Sequence, residues 1–215
     1  MDNLKVCVLS ANLGNFDTPI EHVKQDMEVD FHTFTDEDFP PIADLPPRFQ
    51  YRIPKLFGWQ MKPGYDIYIW LDGSMQLTRP DSVKWLIEQL GDSVAAFFKH
   101  PYRNTVQEEV DHIEDHLQKG KPYITSRYKN GLHKETLNEG YNPGTRPLLA
   151  STVFIYKTSP YGGAQGFLRE WWALQSRYYS CDQIALSILA GHWKIATINA
   201  NPFKNDYLIV GSKHI

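Results

Sequence analysis

The sequence predicts an α/β fold, a single domain with a mainly parallel central sheet flanked by helices. Short apolar runs rich in β-branched residues alternate with segments whose apolar residues recur at helical spacing. The 215 residues are 42% hydrophobic and 13% aromatic, enough to bury one large core. No internal repeat, low-complexity tract or linker-length polar stretch divides the chain, so residues 1–215 read as one unit.

Each element has its own signal. Leu4 to Leu9 is an apolar run closed by Ser10 to Gly14, a buried first strand followed by a ligand-facing loop. Val29, Phe31 and Thr33 alternate with Asp30, His32 and Phe34, a second strand ending at Thr35 and Asp36. Pro40 to Pro47 is an irregular connection. Arg48 to Trp59 then carries a short helix with Arg52 and Lys55 on one face. Asp66 to Leu71 is a stiff buried strand that delivers Asp72 into a glycine turn, Asp72-Gly73-Ser74.

Val83, Leu86, Ile87 and Leu90 form a helical stripe, with Asp81 placed to cap it and Gly91 to stop it. Val94 to Lys99 is a further strand, running into His100-Pro101-Tyr102-Arg103. Thr105 and Glu108 have capping-box spacing ahead of the stripe Val106, Val110, Ile113 and Leu117. Gly120 to Pro147 reads as a long loop with brief helical turns. Thr152 to Lys157 is a strand, Gly166 to Gln175 and Asp182 to Ala190 are helices, and Lys194 to Ile198 closes the core.

Composition narrows the function. A net charge of −3 gives no general field for nucleic acid or anionic membrane, so any anion site is local. No apolar stretch approaches the length of a membrane span, and the start lacks a signal-peptide pattern. Cys7 and Cys181 fall in a strand and at a helix start, which suits reduced thiols in a cytosolic setting. The expectation is a soluble, cytoplasmic protein, or one domain excised from a longer one whose location would govern.

Phosphate-loop, dinucleotide and nucleophile-elbow fingerprints are all missing. What remains is a set of acids and bases at predicted strand ends: Asp36, Asp72, Lys99, His100, Arg103, Arg127 and Asp182. Open α/β sheets bind ligands outside the carboxyl ends of their strands, which puts Asp72 first, although Asp-Gly is also a common turn dipeptide. A hard cation such as Mn²⁺ or Mg²⁺ needs only one or two protein carboxylates when substrate phosphates complete its shell. Arg52, Lys55 and Arg103 offer charge-assisted bonds to the same phosphates, or are surface charges.

Taken in order, Val6 to Ser10 with Gly14 to Asp17, Phe34-Thr35-Asp36, Arg52 and Lys55, Ile69 to Ser74, and Lys99 to Arg103 with Glu108-Glu109 form a pattern. Gly131-Leu132, Trp171-Trp172 and Ser180 to Gln183 continue it. The series resembles a group of GT-A-like glycosyltransferases long catalogued as a domain of unknown function, with plant, bacterial and large-virus members. Within that group the series looks most like a chlorella-virus glycosyltransferase domain.

Two pieces are also similar to the retaining glycosyltransferase family 8. In that family an Asp-x-Asp at a strand end holds Mn²⁺ and the nucleotide diphosphate, and a later Asp-Gln motif touches the donor sugar. The resemblance implies that Asp72, Gly73 and Ser74 bind the donor. Asp72 and Ser74 would ligate Mn²⁺ (or Mg²⁺), with His214 as a third ligand, and Ser74 is neutral where that family has its second acid.

It further implies that Ala11, Asn12, Gly14, Thr35 and Asp36 hold uracil and ribose, and that His100 and Arg103 meet the donor sugar or diphosphate. Asp182 and Gln183 would act at the sugar, Asp182 otherwise serving as a helix cap. Trp171 or Trp172 would stack on sugars, and at least one of the two belongs to the core, because neighbours on a helix diverge by about 100°. The implied activity is retaining transfer of a hexose-type sugar from a UDP-sugar to a glycan acceptor. A sugar-nucleotide hydrolase and a non-catalytic glycan-binding module are the alternatives.

Overall fold

The computed structural model describes residues 4–128, 131–135, 147–160, 162–178 and 182–211. Strands β1 (Val6–Ala11), β2 (Asp30–Phe34), β3 (Ile67–Leu71), β5 (Ala95–Lys99), β6 (Leu149–Lys157) and β7 (Ile195–Ile198) form one sheet in the order β2-β1-β3-β6-β5-β7. β1 runs parallel to β2 and to β3, and β5 runs parallel to β7. β6 lies antiparallel between β3 and β5. Five strands therefore point the same way and their carboxyl ends share one edge. The predicted α/β class is observed, with β6 as the exception to parallel pairing.

The strands alternate as buried, two-sided strands must. On one face Cys7, Leu9, Tyr68, Trp70, Phe97, Phe154 and Tyr156 pack against Leu56, Phe167, Trp171 and Leu186. Those last four belong to helices α2 (Arg52–Met61), α7 (Gln165–Tyr178) and α8 (Asp182–Leu189). On the other face Val8, Ile69, Leu71, Phe98 and Ile155 meet Val83, Leu86 and Leu90 of α3 (Ser82–Leu90). A smaller cluster joins α4 (Val106–Gln118), α5 (Pro122–Tyr128) and α8 through Val110, Ile113, Ile124, Tyr128, Ile184 and Ile188. A short helix, α6 (Leu132–Glu135), follows α5.

Several expectations shift. The segment from Arg48 to Trp59 is two helices, α1 (Pro47–Gln50) and α2, because Pro54 has no N–H to bond back to Gln50 and is tolerated only in the first turn of a new helix. β6 starts at Leu149, three residues before the apolar alternation suggests, and a bulge in its pairing with β5 follows, so that Phe98 faces Ala150 while Phe97 faces Phe154. A small second sheet pairs β4 (Met75–Leu77) with β8 (Leu208–Val210), strands of three residues that carry too little pattern to be seen in sequence. Asp81 precedes α3 without capping it, since its carboxylate forms a two-point pair with Arg79 at 2.8 and 3.0 Å. Thr105 does cap α4, accepting the Glu108 N–H at 3.2 Å. Cys7 is buried as expected, and burial lifts its thiol to about 11. Cys181 and His214 lie outside the described residues.

Candidate active site

The shared carboxyl edge gathers most of the predicted residues. Asp72 follows β3, its backbone N–H pinned to Thr152 of β6 at 2.9 Å. Trp70 precedes it by two positions on the same side of the strand, and the indole donates to Asp72 Oδ1 at 2.7 Å. Gly73 is sterically required: a β-carbon there would sit 2.6 Å from Asp17 Oδ2 and 3.0 Å from the Ala11 carbonyl, so the turn crosses directly over the end of β1. Ser74 accepts the Gly211 N–H on its backbone carbonyl at 2.8 Å, tying the turn to the end of β8.

Lys55 is the centre of the arrangement. Its helix packs closely on β1, where a β-carbon at Gly58 would meet Leu9 Cδ1 at 2.5 Å, and Lys55 shares that inward face. The side chain is only 1% exposed, and its ammonium stands 3.3 Å from Asp72 Oδ1 and 3.2 Å from Asp182 Oδ2. Burial works against the charge, yet Asp72, Tyr51 and Asp182 together carry the Lys55 pKa well above its ordinary value.

The two acids are not equivalent. Burial pushes the Asp72 carboxyl up, against the pull of Lys55 and the Trp70 hydrogen bond and with the repulsion of Asp182. Burial opposes ionisation of Asp182 too, but Lys55, Arg52 and a 2.7 Å hydrogen bond from Ser151 outweigh it and hold the carboxyl far below the usual range. Asp182 also opens α8, where the positive end of the helix dipole favours an anion. The Trp171 indole donates to the Asp182 carbonyl at 2.9 Å while the side chain is fully buried. Trp171 is thus a core residue that positions Asp182 and no platform for a sugar. Trp172 is half-buried and packs edge-on against Phe57. Gln183 follows Asp182 on the first turn of α8.

The expected nucleoside loop is built from its own side chains. Asn12 ties down the turn by accepting from the Asp17 N–H at 3.0 Å and donating to the Asp17 carbonyl at 2.6 Å. Asp36 reaches across from the end of β2 to accept the Gly14 N–H at 2.8 Å, Gly14 adopting a positive φ of 69°. Thr35 holds the turn that carries Asp36, donating its N–H to Asp38 at 2.9 Å and accepting the Glu37 N–H on its hydroxyl at 3.3 Å. Ala11 is buried at the last position of β1.

His100 and Arg103 occupy the same edge, two strands beyond Asp72, and serve their own loop. His100 is 5% exposed, and its Nδ1 accepts the backbone N–H groups of Tyr102 and Arg103 at 3.3 and 3.1 Å. Burial first, then the Arg103 charge, lowers its pKa to about 4, so the ring is neutral near pH 7. Arg103 is committed to buried Glu109 in a close hydrogen-bonded ion pair.

A pocket opens beside Asp182, lined by Arg48, Phe49, Tyr51, Arg52, Arg127 and Tyr128. The sequence offers Arg52 as a phosphate contact or a surface charge, gives Arg48 and Arg127 no role, and gives no sign of Ser151, because β6 approaches the site only through the sheet. The position of Trp70 was legible in the two-residue period of its strand.

The donor set bears on Mn²⁺ or Mg²⁺. Among the described residues no three His, Cys, Asp or Glu side chains converge to cage a cation. Asp72 Oδ1 is taken by Lys55 and Trp70, while the side chain remains 30% exposed. That suits a hard cation anchored by one carboxylate oxygen and completed by substrate oxygens and water.

No family model and no curated protein matches the chain. Solved structures do. A glycosyltransferase involved in glycosylating the major capsid of the chlorella virus PBCV-1 aligns over 93% of this chain and 82% of its own, at 10% identity and a TM-score of 0.48. The structural neighbours are glycosyltransferases. The bifunctional WbbM aligns over 92% of this chain and 39% of its own, with 11% identity and a TM-score of 0.49. The galactosyltransferase LgtC, solved with donor and acceptor sugar analogues, covers 90% and 73% at 13% identity and a TM-score of 0.46. Identities this low leave the chemistry to be argued from this chain's own residues.

Proposed function

We propose that the protein transfers a hexose-type sugar from a UDP-sugar to a glycan acceptor. The observation that carries this reading is the meeting of Asp72 and Asp182 on one buried ammonium, at the sheet edge where α/β proteins bind ligands, beside an arginine-lined pocket. A glycan-binding module gives no reason for two carboxylates to meet at that edge beside a pocket suited to a diphosphate.

In this reading the Asn12, Gly14 and Asp36 loop receives the nucleoside, and Arg52 meets the diphosphate. Asp182 faces the anomeric carbon, with Gln183 orienting the sugar. As the bond to the diphosphate oxygen breaks, its electron pair leaves with the diphosphate and positive charge grows on the sugar ring. Asp182 stabilises that charge, as carboxylates do in glycoside hydrolysis. The acceptor hydroxyl oxygen closes the new bond and its proton passes to the released diphosphate. Asp72, through its outer oxygen, would hold Mn²⁺ or Mg²⁺, with Ser74 beside it. Such a cation, when bound, supplies charge neutralisation at the leaving diphosphate. Resemblance to a retaining family carries the expectation of retention at the anomeric carbon.

A panel of UDP-, GDP- and dTDP-sugars, with and without Mn²⁺, tests the reading through binding heat and released nucleotide. UDP-sugars are expected to bind best, and glycan acceptors to raise nucleotide release. Release that no acceptor changes would mean hydrolysis, and glycan binding with no nucleotide binding would mean a recognition module. The anomeric coupling constant of the product reports retention.

A further inference from the structure

We propose that Arg48 and Arg127 join Arg52 as a three-guanidinium cradle for the diphosphate of the donor, an assignment that rests on the nucleotide-sugar reading above. The three side chains come from α1, α2 and α5 and line one pocket that holds, among the described residues, a single carboxylate, Asp182. That carboxylate is already paired with Lys55 and Ser151. Among the described residues the pocket sets three guanidiniums against that one acid, in a protein whose net charge is −3. A local surplus of that sign in an acidic chain fits an anionic ligand carrying more than one charge.

Position selects which anion. Pro47, next to Arg48, sits 3.5 Å from where a Gly14 β-carbon would lie, so α1 abuts the loop assigned to the nucleoside. Asp182, assigned to the sugar, lines the same pocket as Arg48. The diphosphate is the part of a sugar nucleotide that spans the distance between those two groups.

Aromatic faces orient the guanidiniums in advance. Arg48 and Arg52 both lie over the buried Phe49 ring, at 5.0 and 4.8 Å from its centre, and Arg127 lies 3.8 Å over Tyr123. A ring face beneath each guanidinium limits where it can sit, and the guanidinium's hydrogen-bonding edge is the fork that matches phosphate oxygens.

Calorimetric titrations of uridine, UMP and UDP test the cradle on the wild type, Arg48→Gln, Arg127→Gln and the corresponding lysine variants, in chelator and in Mn²⁺. Each glutamine variant is expected to weaken UDP by about tenfold or more, the size of a lost charge-assisted bond. Uridine affinity should stay unchanged, and lysine should restore part of the loss. Circular dichroism confirms that each variant is folded.

Unchanged UDP affinity in folded variants would overturn the assignment, as would equal losses for UDP and uridine. A UDP-hexuronic acid forms a further arm. If only its affinity fell while that of UDP held, the pocket would instead read a charge on the sugar, and the proposal would fail. A wild type that binds no nucleotide would sink the nucleotide-sugar reading itself, an outcome separable from all the others.

Discussion

At the scale of single residues, the site turns on one buried ammonium serving two acids of unlike strength. Asp182 gains support from Arg52 and Ser151 that Asp72 lacks, so Asp182 is the better-held anion and the better partner for a growing positive charge. Asp182→Asn is nearly isosteric and keeps an acceptor for Ser151. Transfer should fall on the order of a hundredfold, or about 2.7 kcal/mol of transition-state stabilisation, with UDP affinity retained. Steady-state rates beside UDP titrations check this, and an unchanged rate would leave Asp182 a structural residue. Lys55→Met has the opposite signature. Removing the ammonium strands two carboxylates together, a loss typically of about 3–5 kcal/mol for a broken buried pair. Urea unfolding should show that loss, and Lys55→Met with Asp72→Asn together should recover part of it.

At the scale of elements, the connection from β5 to α4 is stiffened by buried side chains. His100 accepts two backbone N–H groups, Glu109 holds Arg103, and Glu108 accepts the Asn104 N–H at 2.7 Å. The pH dependence of this connection follows from the depressed value of about 4 for His100 against an ordinary 6.5. Between those values the unfolded chain takes up a proton that the folded chain refuses. Stability from this group is therefore complete above pH 6.5, declines as the pH falls toward 4 and levels off below. The full span is about 3 kcal/mol. Burial also lowers His22, His32, His112 and His133, so the whole protein should weaken in acid. His100→Asn offers an acceptor to the same N–H groups without the titration. Urea midpoints measured from pH 7 to 4 should fall less steeply for that variant, and identical slopes would remove His100 as a contributor.

At the scale of the whole molecule, one six-stranded sheet carries both main cores. Strands β1, β3, β5 and β6 send alternate residues into each, so neither layer can come apart without exposing the other. A single cooperative transition is expected in urea, tryptophan fluorescence and far-ultraviolet circular dichroism giving coincident curves. Trp70 and Trp171 report the core beneath α2, α7 and α8, while the dichroism averages over all helices. Separate midpoints would mean that the cluster joining α4, α5 and α8 melts on its own.

Local periodicity was enough to read most elements and the strand-end position of Asp72, because side-chain direction along a strand or helix depends only on near neighbours in the chain. The capping of α4 by Thr105 and the core placement of one Trp in the pair 171–172 were legible for the same reason. The antiparallel course of β6 was not, nor was the pairing of β4 with β8, since no single strand records which partner it will meet. Lys55 reads in sequence as a phosphate contact or as a surface charge. Only the close packing of α2 on β1 buries it, and only the sheet order brings Asp72, Ser151 and Asp182 to its ammonium. Those contacts join residues far apart in the chain, and what decides them is the shape of the packed core, which periodicity does not encode.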